Sequence, residues 1–114
     1  MNAKLEQPVL LESVRTPIGS FGGSLSTIPA SDLAAIVLKE AAKRSSVDIA
    51  DIEQVILGCV GQVAEDGYIA RHAAIKAGLA TGSTAYAVNR ICGSGLEAIN
   101  SAARWIELGE AQYI

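Results

Sequence analysis

Short apolar runs alternate along the chain with segments in which apolar residues recur every three or four positions. Three of the runs, residues 9–11, 55–57 and 84–88, are bounded by turn residues, as buried strands are. A fourth run, residues 110–114, ends the sequence without a turn and is interpreted as a strand that is cut short. The pattern therefore predicts four strands.

The stretch between the first two predicted strands holds a loop and a helix. Glycine and serine make residues 18–29 a turn-rich positioning loop that lacks the spacing of a phosphate-binding glycine motif. Ser31 is expected to cap a helix that begins at Asp32 and runs to Arg44. The alanine-rich face of this helix suits close packing on a sheet.

Two more predicted helices alternate with the remaining strands. One covers residues 69–76 and stops at Gly78, where glycine fits a left-handed cap. The last opens at residues 92–95 and is ended by Gly109. The order βαβαβαβ predicts an α/β fold, in which a parallel or mixed sheet carries helices on its faces.

Composition narrows the class of protein. With 114 residues, half of them hydrophobic, the chain is globular and forms one domain at most. Its net charge of -3, with no run of lysine or arginine, speaks against nucleic acid or an anionic membrane as a partner. The N-terminal segment, residues 1–7, is polar, and the apolar stretches stop short of a membrane span. A soluble, cytoplasmic protein is expected.

The chain contains two cysteines, Cys59 and Cys92, and a single histidine, His72. Neither cysteine has a partner at a disulfide or zinc-ligand spacing. Each is therefore expected to be a reduced thiol, and no metal site is predicted.

The segment with the clearest chemistry is residues 88–96, where a predicted strand turns into a helix at Cys92. Backbone N–H groups and the positive end of the helix dipole meet at such a point and favour a thiolate. Gly93 and Gly95 leave room for a substrate and for close helix packing. The pattern indicates a nucleophile that attacks a carbonyl.

Other interpretations use the same residues. Gly93, Gly95 and Ala98 also satisfy the Gly-x-Gly-x-x-Ala fingerprint of dinucleotide-binding segments. Cys-Gly-Ser opens the nucleophile helix of papain-like proteases, although that pattern continues with cysteine and tryptophan where this chain has Gly95 and Leu96. Cys92 taken alone is most simply a small buried hydrophobe.

Three segments, in the right order and over nearly the whole chain, resemble the thiolase family of acyl-CoA C-acyltransferases. The residues that carry the likeness are Arg15, Thr16, Pro17, Ile18, Gly19, Phe21, Gly22 and Gly23; Ala70, Arg71, Ala74, Lys76, Ala77 and Gly78; and Val88, Asn89, Cys92, Gly93, Ser94, Gly95, Leu96, Ala98, Ile99 and Ile106. One departure lies at residues 67–69, Gly-Tyr-Ile, where many members carry Gln-Asn-Pro.

The resemblance implies a fold, a reaction and partners. Residues 1–114 would be part of a thiolase N-terminal domain, within a layered α/β fold. Cys92 would take an acyl group from an acyl-CoA and pass it on, in acetoacetyl-CoA formation or 3-ketoacyl-CoA cleavage, and its N–H could donate to an oxyanion. Coenzyme A thioesters are then substrates, and no cofactor is implied. The family's oligomers imply a homo-oligomer, or a complementing C-terminal segment.

The family's remaining catalytic groups are a histidine and a second cysteine, in Gly-His-Pro and Cys-x-Gly motifs that this sequence lacks. His72 is expected to be a solvated or packed imidazole, and Cys59 a small buried side chain. Two hypotheses follow. The chain is either one portion of an acyltransferase whose other residues lie elsewhere, or a noncatalytic fragment that pairs with a partner, and on either hypothesis the chain alone would be inactive.

Overall fold

A computed structural model describes residues 5–114, so the first four residues of the polar N-terminal segment lie outside it. Helices and strands alternate along the chain. The α-helices and strands are α1 (Ala30–Ser45), β1 (Gln54–Gly58), α2 (Ile69–Ala77), β2 (Thr84–Val88) and α3 (Ser94–Glu107). Short 3-10 helices cover Ile49–Asp51 and Ala64–Tyr68. The predicted α/β class is confirmed.

β1 and β2 form a two-stranded parallel sheet in which Gln54 pairs with Thr84 and Gly58 with Val88. α2 is the crossover between the strands, as a parallel pair requires. Beyond the last pair, the Cys59 N–H donates to the Val88 carbonyl at 3.0 Å. The carboxyl ends of both strands therefore meet at one edge of the sheet.

The core is built mainly from small side chains. Val55 and Leu57, which share one face of β1, pack with α1, α2 and Leu79. The buried hydrophobic residues are Ala35, Ala42, Val55, Ile69, Ala70, Ala73, Ala74, Ala77, Leu79 and Ala98. Because alanine dominates, the elements approach closely but bury little apolar area each.

The start of α1 differs from the sequence expectation. The helix begins at Ala30, and Pro29 holds the cap position without a side-chain hydrogen bond. Ser31 is buried, and its Oγ accepts a hydrogen bond from Lys76 Nζ at 2.8 Å. The prediction of a Ser31 cap is therefore wrong, because that hydroxyl links α1 to α2. The α1 alanines were expected to pack on a sheet. Ala35 does join the cluster around Val55 of β1, but α1 packs chiefly on α2.

The predicted ends of α2 and α3 are confirmed. Gly78 follows α2 with φ 92°, in the left-handed region, and its N–H bonds back to the last turn of the helix. Gly109 has φ 70° just after α3. Glycine reaches this conformation without the steric cost that a Cβ imposes, so its position marks the end of a helix.

Two predicted strands, residues 9–11 and 110–114, are not found in residues 5–114. Val9, Leu10 and Leu11 are exposed and belong to no strand. The final segment makes one backbone hydrogen bond to the residue just before β1: the Glu53 N–H donates to the Tyr113 carbonyl at 3.1 Å. A strand is defined by a partner as well as by its own pattern, and neither segment has a partner strand within residues 5–114. With α1, β1 and α3 they line a half-open apolar cavity of about 400 Å³.

No helix in residues 5–114 has the length and apolar character needed to cross a membrane.

Candidate active site

Cys92 lies in the turn between β2 and α3 and its side chain is exposed. α3 begins two residues later at Ser94, with Gly93 in the cap position. The predicted opening of this helix is therefore confirmed. The alternative that Cys92 is a small buried hydrophobe is wrong, since the residue faces solvent.

Side-chain hydrogen bonds bracket the turn that holds Cys92. On one side, Asn89 Oδ1 accepts from the Ile91 N–H at 3.0 Å. On the other, Ser94 Oγ accepts from the Arg90 N–H at 2.8 Å and donates to the Ile91 carbonyl at 2.7 Å. Ser94 is buried, so these bonds are shielded from water. We call residues 89–94 the nucleophile turn, after the nucleophile that the sequence predicts at Cys92.

The backbone inside the nucleophile turn is strained. Ile91, directly before Cys92, has φ 50°. A β-branched residue rarely adopts the left-handed region, and such a conformation persists only where surrounding interactions enforce it. The hydrogen bonds of Asn89 and Ser94 to Ile91 supply that enforcement.

Gly58, at the end of β1, sets how closely α3 approaches the sheet. A Cβ added at this position would lie 2.7 Å from Gly95 N and 2.8 Å from the Ser94 carbonyl oxygen. In contrast, a Cβ at Gly95 would meet nothing within 4 Å, and one at Gly93 only the Arg90 carbonyl at 3.4 Å. Gly93 and Gly95 were expected to allow close packing of the helix, whereas Gly58 allows it.

The backbone N–H groups around the sulfur fall into two sets. Gly93 and Ser94 donate to the Arg90 and Ile91 carbonyls, at 3.0 Å and 3.2 Å, as the chain turns into the helix. The N–H of Cys92 takes part in neither of these two bonds. This donor and the positive end of α3 lie at the exposed thiol, which is an arrangement suited to a developing oxyanion.

A charged cluster lies beside the nucleophile turn. Glu97, on the first turns of α3, accepts from Arg90 at 3.0 Å and from Arg104 at 3.1 Å. These hydrogen bonds, from Arg104 first and then Arg90, hold the pKa of the Glu97 carboxyl below its usual value of 4.5. Sequence reasoning missed this cluster. The spacing 97–104 equals about two turns of α3, but Arg90 precedes the helix and no helical spacing relates it to Glu97.

The other titratable candidates lie on other elements. His72 is half-buried on α2, and its ring centroid is 6.4 Å from that of Tyr68, which packs at a tilt. A solvated or packed imidazole was expected for His72. Cys59 follows β1, is half-buried rather than fully buried, and carries a free thiol like Cys92.

The segment that departs from the thiolase pattern, residues 67–69, has a defined shape. It ends the 3-10 helix Ala64–Tyr68 and begins α2 at Ile69 without a side-chain cap. Ala64 enters this short helix with φ 49°. The chain therefore forms a continuous helical connection where many thiolases carry proline.

Comparison with known proteins gives a consistent result. The family model described as "Thiolase, N-terminal domain" matches residues 9–114. An acetyl-CoA acetyltransferase of Syntrophomonas wolfei is 42% identical over 106 residues, which are 93% of this chain and 27% of the relative. A 3-oxoadipyl-CoA/3-oxo-5,6-dehydrosuberyl-CoA thiolase of Escherichia coli is 42% identical over 112 residues, which are 96% of this chain and 28% of the relative.

A solved structure extends the likeness to the fold. The crystal structure of the Bacillus anthracis acetyl-CoA acetyltransferase superposes with a TM-score of 0.91 at 40% identity, covering 96% of this chain and 28% of that one. The chain thus spans little more than a quarter of the length of these relatives. The match over residues 9–114 and the shared fold show that this chain belongs to the thiolase family.

Proposed function

We propose that this chain carries the acyl-accepting cysteine of an acyl-CoA C-acyltransferase, and that Cys92 is that residue. The observation that carries the proposal is the exposure of Cys92 in a strained turn at the start of α3, within a motif of the thiolase family. Several relatives are named acetyl-CoA acetyltransferases or thiolases, which supports acyl-CoA thioesters as the substrate class.

The chemistry follows from the sulfur and its surroundings. The Cys92 thiolate adds to the thioester carbonyl, and the Cys92 N–H donates to the resulting oxyanion. The C–S bond to coenzyme A then breaks, and the coenzyme A thiolate leaves and takes up a proton. The acyl group remains on Cys92 as a thioester of nearly equal energy. It passes to the enolate of acetyl-CoA, or to coenzyme A in the cleavage direction.

Residues beyond this sequence complete the proposed reaction. The chain contains no Gly-His-Pro segment, and its only histidine lies on α2 in contact with Tyr68. A base that activates Cys92 and an acid–base group for the second substrate therefore come from further protein. Coenzyme A thioesters act as substrates, and no cofactor is part of the proposal.

Association with other protein is a second part of the proposal. Large apolar side chains are exposed on both the nucleophile turn and α3, including Ile91 and Leu96 at 65% each. Such patches mark surfaces that another polypeptide covers. The proposed occupant of this surface is a second copy of the chain or a complementing C-terminal segment. A cytoplasmic location stays a prediction.

The test is an acyl adduct on Cys92. The chain is incubated with acetyl-CoA, with and without a polypeptide that carries a Gly-His-Pro segment. Mass spectrometry of the intact chain and its peptides then locates any acetyl group.

We expect an adduct on Cys92 when the second polypeptide is present and a much smaller one, or none, without it. Cys92→Ala abolishes the adduct, whereas Cys59→Ala, the matched thiol control, leaves it intact. Absence of an adduct under both conditions would support a noncatalytic fragment instead.

A further inference from the structure

Glu97 is more buried than the two arginines that it binds. Its side chain is only 17% exposed, whereas those of Arg90 and Arg104 are 68% and 63% exposed. Ser101 Oγ also lies at 3.5 Å from Glu97 Oε1. The carboxylate is thus the fixed member of the cluster, and the arginine side chains are held by it.

Arg90 connects this fixed carboxylate to the nucleophile turn. Its backbone N–H donates to the buried Ser94 Oγ, and its guanidinium donates to Glu97 Oε2 at 3.0 Å. Arg90 is therefore attached to α3 at Ser94 and at Glu97. Cys92 lies in the short stretch of chain between Arg90 and Ser94. A loop attached in this way has little freedom to open.

The strain at Ile91 explains why the second attachment, from Arg90 to Glu97, matters for the shape of the turn. A φ of 50° at a β-branched residue is unfavourable, so the turn relaxes unless several contacts oppose the change. The Asn89 and Ser94 hydrogen bonds act on the backbone directly. The Glu97–Arg90 contact acts on the same segment through a side chain, from outside the turn.

We propose that Glu97 is a positioning residue for Cys92, because its carboxylate holds the Arg90 side chain against α3 and so keeps the nucleophile turn in the form that presents the sulfur. The inference takes its functional meaning from the proposed function. Its physical content is separate, since it concerns how the thiol is presented and needs no acyl-CoA.

A purely electrostatic role of Glu97 gives opposite expectations. A negative charge near a thiol disfavours the thiolate, so removing that charge would make Cys92 more reactive. If Glu97 acts by positioning, removing its carboxylate lets the turn relax away from the helix start, and Cys92 becomes less reactive. The direction of the change therefore separates the two roles.

The experiment measures alkylation of the 114-residue chain by iodoacetamide at neutral pH, with peptide mass spectrometry reporting Cys92 and Cys59 separately. Cys59 is the internal standard, because it lies after β1 in the same molecule and general loosening would expose both thiols. We expect Glu97→Ala to slow labelling of Cys92 about threefold to tenfold, with Cys59 unchanged.

Two conservative variants separate the effect of the side-chain length at position 97 from the effect of its charge. Glu97→Gln removes the charge but keeps an amide oxygen that accepts from Arg90, and should restore most of the original Cys92 rate. Glu97→Asp keeps the charge but shortens the side chain by one methylene, and should slow the rate about twofold to threefold. If the Glu97→Ala variant loses its helical circular dichroism signal, the Glu97→Asp and Glu97→Gln variants decide whether Glu97 positions Cys92.

Arg104→Ala is the matched control, since it removes the other partner of Glu97 and leaves the link to Arg90 in place. It should label at the original rate. Faster labelling of Glu97→Ala or Glu97→Gln, or an unchanged rate in Glu97→Ala or Glu97→Asp, overturns the proposal. The proposed function fails independently, if the unaltered chain forms no acyl adduct with its complementing polypeptide.

Discussion

At the residue scale, Gly58 matters because it has no side chain where α3 meets β1. Replacing it with alanine would place a Cβ 2.7 Å from Gly95 N, so the strand or the helix start must move. We expect Gly58→Ala to lower the free energy of unfolding by about 1–3 kcal/mol. Urea denaturation followed by circular dichroism measures this change.

Gly61→Ala is the control for this substitution, because a Cβ there would meet nothing within 4 Å and the backbone is not in the left-handed region. Its effect should stay within about 0.5 kcal/mol. Equal effects of the two substitutions would show that α3 does not depend on a close approach at Gly58.

At the element scale, Lys76 joins α2 to the first turn of α1. Its Nζ donates to Ser31 Oγ at 2.8 Å and lies 2.6 Å from Asp32 Oδ1. Lys76→Met should destabilise the chain by about 1 kcal/mol, because the buried Ser31 hydroxyl loses its partner. Lys39→Met on α1, where no ion pair involves Lys39 within residues 5–114, should change the urea midpoint little. A smaller shift for Lys76→Met than for Lys39→Met would contradict this reasoning.

The Glu97 cluster within α3 predicts a pH-dependent stability. Arg104 and Arg90 depress the folded-state pKa of Glu97 below 4.5. The stabilisation is therefore fully present above pH 4.5, and it is lost as the pH falls through the lower folded-state pKa. The stability difference between the original chain and Glu97→Gln should be largest at about pH 7 and should shrink by about pH 3.

Glu65→Gln serves as the control for that series, since Glu65 is exposed and takes part in no ion pair among the described residues. Urea midpoints at each pH give the comparison. A Glu97→Gln difference that stays constant across the range would mean that the arginines do not act through the ionised carboxylate.

The elements also show what the sequence could predict. Gly78 and Gly109 end helices by a local conformational property, so both ends were predicted from sequence. Residues 9–11 carry a strand pattern, but a strand depends on a partner that a local pattern does not contain. Ser31 was misassigned because a capping serine and a serine bound to a distant lysine are the same residue type.

At the candidate site, too, features set by neighbouring residues could be predicted from the sequence, and features set by contacts between elements could not. The position of Cys92 before a helix follows from its neighbours in sequence, and the structure confirms it. The roles of Gly58 and Glu97 depend on distances between elements, to Gly95 N and to Arg90 and Arg104. Such distances exist only after β1 and α3 have packed, so no local pattern revealed them.

At the scale of the whole molecule, the chain is less compact than a finished domain. Its radius of gyration is 14.6 Å and its extents are 54 × 29 × 23 Å, whereas a domain of this length averages about 13 Å. The buried hydrophobic residues are mostly alanines, and within residues 5–114 no large side chain is fully buried. Little apolar area is therefore available to offset chain entropy.

We expect the isolated chain to have a free energy of unfolding below about 5 kcal/mol, with a broad urea transition. The apolar cavity of about 400 Å³ beside α3 should also bind a hydrophobic fluorescent dye. Adding the complementing polypeptide should raise the midpoint and displace the dye. A sharp transition with a free energy above about 5 kcal/mol would show that the chain is self-sufficient.

The contact at Gly58 has one more consequence. Since α3 rests on bare main chain there, the position of Cys92 does not depend on which side chains fill the interior. Ile99 and Ala102, which line the apolar cavity, should therefore tolerate exchange for other apolar side chains of similar volume while Cys92 keeps its place.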